Sequence, residues 1–291
     1  MSAATLDPRT SAGPRGLVSS VLPRVPAPGV LLAGLWLLLV VLAAVAPGLL
    51  TGADPYATDT SALLQPPSAA HWFGTDQIGR DLFSRMVHGS ALSLRATLVA
   101  VALGVFLGAL IGLLAGATGG WLDAVLMRFV DVLLAIPSLL LSLAIITVLG
   151  FGTLNVAVAV GFGSVAACAR VMRSEVLRVH QSVYVEAATS LGVRRHTVLL
   201  RHVLPNSAGP VLVLAALDFG TAVLAVSSLS FLGYGAKPPT PEWGSLVASG
   251  RDFLGSGWWL TTLPGLVIAA TVLAANRIAR ALEGCHEEGL R

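Results

Sequence analysis

Charge is what this chain has least of. Only 11% of its 291 residues are Asp, Glu, Lys or Arg, whereas a soluble domain carries about a quarter. Lysine is nearly missing: Lys237 is the single one among 18 basic residues. A Walker A loop grips phosphate with Gly-Lys-Ser/Thr, and Lys237 stands between Ala236 and Pro238. ATP hydrolysis on this chain is therefore excluded. Cysteine is scarce too, with Cys168 at the end of an apolar run and Cys285 near the C-terminal end. Neither has a CxxC partner, so no disulfide framework or zinc site can be read. The 6 histidines are scattered without ligand spacing, and no serine has a placed base, so no membrane-enzyme constellation is present.

Apolar residues fill the space left by charge: 55% of the chain is hydrophobic and the mean hydropathy is +0.82. A helix crosses the hydrocarbon core with about 20 residues. Six segments fit or nearly fit: 30–50, 92–116, 128–149, 154–170, 210–232 and 259–276. An all-α integral membrane protein with six transmembrane helices is expected. Turn residues separate most spans: Thr118-Gly119-Gly120, Gly150-Phe151-Gly152, Pro205-Asn206 and Pro238-Pro239. The organisation is an N-terminal tail (1–29), an anchor helix (30–50), an outer loop (51–91), a membrane core (92–276) and a C-terminal tail (277–291). Ala44-Val45-Ala46 resembles a cleavage site, but a polar leader with Arg9, Arg15 and Arg24 precedes the run. An uncleaved anchor is the expectation.

With the N-terminus inside, thirteen basic residues fall on inner segments and five on outer ones (Arg80, Arg85, Arg95, Lys237 and Arg251). That asymmetry predicts cytoplasmic N- and C-termini. The excess of arginine thus reflects orientation and not nucleic acid. Within the spans, Gly104, Gly108, Gly112 and Gly116 recur every fourth residue. They form a ridge without side chains, suited either to packing inside the bundle or to a dimer seam. Pro137 removes a backbone hydrogen bond and is expected to kink the third span. From Arg80 to His88, Leu82, Phe83, Met86 and Val87 share one face, which suits a short helix lying in the interface. Two acids sit in or near spans. Asp131, one turn beyond Arg128, reads as a local ion pair or as a pathway residue. Asp218 lies about 12 Å past Pro210 at 1.5 Å per residue, as a pathway residue or a partner for another helix. No chain of acids and histidines accompanies it, which counts against a proton-coupled carrier.

The longest inner loop, 170–206, mixes charge with apolar periodicity. Its core reads Glu186-Ala187-Ala188-Thr189-Ser190-Leu191-Gly192, and His202-Val203-Leu204-Pro205-Asn206 follows ten residues on. This predicts a short helix stopped at Gly192, then a second stretch ended by Pro205. Glu186 near the helix start suits the dipole. Alone, the pattern fits either a knob for a soluble partner or a plain amphipathic connector.

The string EAATSLGVRRHTVLLRHVLPN resembles the EAA-x3-G signature of bacterial binding-protein-dependent ABC importer permeases. HWFGTDQIGRDLFSRMVHGSALSL and SSLSFLGYGAKPPTPEWGSLVASGRDFL resemble two blocks of the dipeptide and oligopeptide subfamily, as does Arg128-Phe129-Val130-Asp131 with Ala135-Ile136-Pro137. The resemblance spans residues 54 to 280 and fits the C-type subunit of a dipeptide-permease system. It departs at Ala91 (usually Arg), Val226 (commonly Glu) and Arg280 (usually acidic), which touches fine substrate contacts. The resemblance implies a type I ABC importer permease fold, with no catalytic residues and no cofactor on this chain. Glu186, Ala187, Ala188, Gly192, Leu204 and Pro205 would form the coupling segment that docks on an ATPase. Partners would be a second, related permease (a heterodimer), two cytoplasmic ATPase domains holding ATP and Mg, and an extracytoplasmic substrate-binding protein. The site would be the bacterial cytoplasmic membrane, and the cargo dipeptides or short oligopeptides moved by alternating access. Related permeases leave nickel chelates, tetrapyrroles or another small solute as alternative cargo. A stand-alone secondary carrier is the reading from another class.

Overall fold

The computed structural model describes residues 28–288. Arg9, Arg15, Arg24 and Arg291 of the orientation argument, and most of the N-terminal tail, lie outside them.

Helix α1 (Pro28–Val45) is apolar on all sides and ends where Pro47 opens a short 3-10 turn. Its 18 residues make about 27 Å of helix, close to the thickness of the hydrocarbon core. Trp36 ties it to the last helix, its indole N–H donating to Thr271 Oγ1 at 3.1 Å. Helix α2 (Leu82–Thr118) begins at Asp81, whose carboxylate accepts from Ser84 N at 2.7 Å. That is an ordinary N-cap. Because no proline interrupts the next 37 residues, the helix runs to Gly119, where φ is 63°. The interfacial helix expected at Arg80–His88 is therefore not a separate element: Leu82 to His88 form the first two turns of α2. Leu82 and Met86 are buried in the protein core instead of facing headgroups.

The third expected span is broken, not kinked. Helices α3 (Gly120–Ala135) and α4 (Ser138–Leu149) meet at 97°. Pro137 forces Ile136 into an extended conformation (φ −93°, ψ 126°), as a residue preceding proline prefers. Helix α5 (Thr153–His180) overshoots the expected 154–170 by ten residues and closes with Arg178 and His180 in its last turn, favourable at the negative end of the helix. The inner loop is itself largely helical: α6 (Val183–Ser190) ends at a turn over 191–194, after which α7 (Arg195–Val198) and a π-helical turn (Leu199–Val203) lead without a gap into α8 (Leu204–Phe231). Pro205 does not end that stretch. It directly follows the π-helical turn, inside a continuous helical run from Arg195 to Phe231. There the regular i→i−4 ladder that proline cannot join is already interrupted, and Asn206 Nδ2 donates back to His202 O at 2.6 Å. Short α9 (Trp243–Gly250) precedes α10 (Trp259–Glu288).

Among the described residues, five helices are each long and apolar enough to cross a membrane, and the number is six if the bent pair α3–α4 counts as one span. Ala100, Val156, Val160, Ala222 and Val226 share the middle of the core. Towards one end, called outer after the charge asymmetry of the sequence, Val40, Leu82, Trp243 and Trp259 pack together; towards the opposite end, called inner, Met172, Val176, Val185, Val203 and Val211 do. The glycine ridge lies between α2 and α5. Gly104, Gly108, Gly112 and Gly116 are all buried, against Ser164, Cys168, Met172 and Val176 in turn. A Cβ at Gly112 would collide with the backbone of α5 at Ala169 and Arg173, so the two helices approach as closely as they do only through glycine. This ridge is used up inside the bundle.

Candidate coupling site and the polar positions around it

The inner end is built from the EAA segment upward. Helix α6 is held by the fully buried Val185, with Ala188 packed beside it. Its end is a Schellman cap: Val193 N donates to Ala188 O at 3.2 Å and Gly192 N to Thr189 O at 3.0 Å. The cap requires a left-handed residue, and Gly192 has φ +77°. Val193 and Ala188 close the apolar contact that accompanies this motif. Glu186 is in the first turn of α6 and is exposed, as are Ala187 and Gly192. Val183 and Leu191 are 81% and 84% exposed, and Tyr184 is exposed beside them. A two-turn knob thus presents apolar side chains with no cover from this chain. Leu204 packs inward below it, while Pro205 is exposed.

Two arginines at the inner end of α5 hold α3. Arg173 makes paired bonds to Asp123 at 2.5 and 2.6 Å, and Arg170 Nη2 meets Asp131 Oδ1 at 2.7 Å. The expected partner of Asp131, Arg128, is therefore replaced by Arg170. Once Pro137 breaks the span, α3 lies against α5, and its acids meet the arginines there instead of the neighbour one turn back. No local spacing signals the Asp123–Arg173 pair, whose members stand 50 residues apart. Asp218 is half-buried on α8 and accepts from Thr221 Oγ1 at 2.9 Å. It faces a cleft of about 210 Å³ between α4, α5 and α8. The ridge glycines join α2 to α5, and Gly104 packs on Ser164, which lines the same cleft as Asp218.

The other two sequence blocks come together at the outer end. Arg85 donates to Pro55 O at 3.1 Å and Pro239 O at 3.3 Å, and Asp76 pairs with Arg80 at 2.7 Å. Trp243 Nε1 donates to Met86 O and Trp259 Nε1 to Thr75 O, at 3.1 and 3.2 Å. Glu242 is wholly buried. Its two carboxylate oxygens accept from Gly244 N and Ser245 N, both at 3.1 Å, capping α9, and Ser93 Oγ lies 3.4 Å away. Burial pushes the Glu242 carboxyl above its usual range, against the opposing pull of those hydrogen bonds. The acid directly before Trp-Gly-Ser was the available signal for this cap. Of the three departures from the family pattern, Ala91 is half-buried on α2, Val226 is buried in the mid-core and Arg280 is exposed on α10.

Residues 108–284 match the model of the binding-protein-dependent transport system inner membrane component. The chain belongs to that family. It is 42% identical over 223 residues to the probable D,D-dipeptide transport system permease protein DdpC of Escherichia coli (strain K12), covering 77% of this chain and 75% of that one. The dipeptide transport system permease protein DppC of Alkalihalophilus pseudofirmus is 40% identical, with 83% and 80% covered. The glutathione permease protein GsiD of Shigella flexneri is 44% identical, with 77% and 74% covered. In fold, the chain matches an inward-facing MetNI methionine ABC transporter with a TM-score of 0.53 at 18% identity, over 68% of this chain and 96% of that one. An amino acid ABC transporter gives 0.53 at 19% identity, over 71% and 94%. The permease is thus a non-catalytic, multi-pass bacterial membrane subunit of an ABC importer, of the subfamily that holds dipeptide, oligopeptide and glutathione permeases. Family membership implies a paired permease, ATPase subunits and a substrate-binding protein.

Proposed function

We propose that this permease imports dipeptides or short oligopeptides across the cytoplasmic membrane, as one half of a heterodimeric channel driven by two cytoplasmic ATPase domains. The observation that carries the coupling role is α6: a capped helix whose outward side chains, Val183, Tyr184 and Leu191, are left bare. Such a surface fits a socket on a soluble partner, and Glu186, Ala187, Ala188 and Gly192 set its shape. Arg170, Arg173, Arg178, Arg194, Arg195 and Arg201 gather at the same end, which supports a cytoplasmic placement of that end and of both termini. Segment 170–206 is then the coupling region of a core running from 92 to 276.

Closure of the ATPase domains around ATP would draw the two coupling helices together and rock the bundle from inward-open to outward-open. A substrate-binding protein would deliver peptide to the outer end. Peptide cargo rests on the relatives, whose names include a dipeptide and a glutathione system. The test is Gly192→Trp in the reconstituted importer. A side chain at φ +77° destroys the Schellman cap, so peptide uptake is abolished while membrane insertion stays at the wild-type level. Unchanged uptake by that variant contradicts the docking role.

A further inference from the structure

Asp218 differs from the other carboxylates at the inner end of the helices. Asp123 has Arg173, Asp131 has Arg170 and Glu175 has Arg178. No cation lies within ion-pair distance of Asp218 among the described residues. Its one described side-chain bond is from Thr221. An unpaired carboxylate is costly at membrane depth, and the position of this one is well fixed. Gly220, two residues on, is packed against Asn276 of α10, one residue before Arg277. Across the cleft, Ala167 of α5 is three residues before Arg170. The cleft therefore sits just above the inner ring of arginines.

Its lining decides the chemistry. Besides Asp218 and Thr221 it presents Ser138, Ser142 and Ser164. Ser142 Oγ already spends its proton on Ser138 O (2.9 Å) and Ala159 O (3.2 Å), and Thr221 spends its own on Asp218. Their oxygens are left as acceptors. No Lys, Arg or His lines the cleft. One negative charge ringed by hydroxyl acceptors, next to the helix break at Pro137, suits a group that brings a positive charge and several donors: a primary ammonium has three.

We propose that this cleft is a transient binding subsite for the free amino group of the transported solute, with Asp218 as its counter-ion and Ser142 and Thr221 as acceptors. This rests on the peptide reading, since a peptide carries such an ammonium. The site is open on one side, as a path requires: binding favourable enough to enter and weak enough to leave.

The test reads occupancy directly and does not depend on the cargo. In the full permease–ATPase assembly in nanodiscs, Cys168→Ala and Cys285→Ser remove the native thiols and Ser164→Cys places one in the cleft. The rate of its modification by a methanethiosulfonate reagent is followed with glycinamide, N-acetylglycinamide or sodium chloride at equal ionic strength. Glycinamide should slow the reaction saturably, by about threefold at twice its dissociation constant, and the other two should not. Asp218→Asn should abolish protection and Asp218→Glu should retain it, each scored only in assemblies that co-purify intact. No protection by glycinamide, a thiol that never reacts, equal protection in Asp218→Asn, or equal protection by sodium each overturns the subsite. Dialanine uptake is then measured in the unmodified importer. Protection without peptide uptake leaves the subsite standing and removes the peptide reading; uptake without protection does the reverse.

Discussion

At the outer end, Glu242, Trp243 and Trp259 are buried and each has a hydrogen-bond partner on another segment. At the inner end, α6 is fixed by Val185 and a glycine cap, and leaves Val183 and Leu191 almost fully exposed. Both ends carry apolar residues in short helices, α9 and α6, of 8 residues each. The difference is that α9 is covered by its own chain and α6 is not. A short helix covered by its own chain holds its shape alone, whereas one left bare is available to another molecule.

If that contrast is right, damage at the two ends must be of different kinds. The largest loss of stability is expected from Trp243→Ala, which empties a site that is 1% exposed and frees Met86 O; about 3–5 kcal/mol is typical for such a cavity. Thermal unfolding of the detergent-solubilised permease should show it. Gly112→Val comes next, since its new atoms would strike the α5 backbone; overpacking costs about 1–3 kcal/mol or more. Gly34→Val, with nothing within 4 Å, is the matched control and should change little. A normal melting curve for Gly112→Val would mean that the seam can slide.

A smaller effect sharpens the outer half of the comparison. Burial raises the Glu242 carboxyl above its usual range, so the folded state holds its proton at a pH where the unfolded chain, near 4.3, has lost it. Stability due to this group is complete below that value and falls as pH rises towards the raised one. Glu242→Gln should flatten that slope in melting temperature against pH; an unchanged slope would assign it to other groups. The smallest change in stability belongs to Leu191→Ser, within about 0.5 kcal/mol as at other exposed sites. Its transport should nevertheless drop sharply, measured as uptake per assembled complex.

Much of this was legible in the residues. The apolar runs located the crossings because chain in lipid must satisfy its own backbone, and the EAA string marked α6 and the left-handed Gly192. Long-range choices were not legible. Whether Pro205 ends a helix or is carried within one depends on what precedes it, and the π-helical turn at Leu199–Val203 has no hydrophobic signature. Whether Leu82–His88 lie on a membrane or in a core depends on α9 and α10, more than 150 residues away. The partner of Asp131 was misjudged for the same reason: local spacing favoured Arg128, and the break at Pro137 decided for Arg170.

The central claim is that the bare face of α6 is where ATPase force enters. Its most direct test places the photo-crosslinker p-benzoylphenylalanine at Tyr184 in the assembled importer and identifies the adduct after irradiation. The account predicts a crosslink to the ATPase subunit; an adduct with the substrate-binding protein, or with lipid alone, would contradict it.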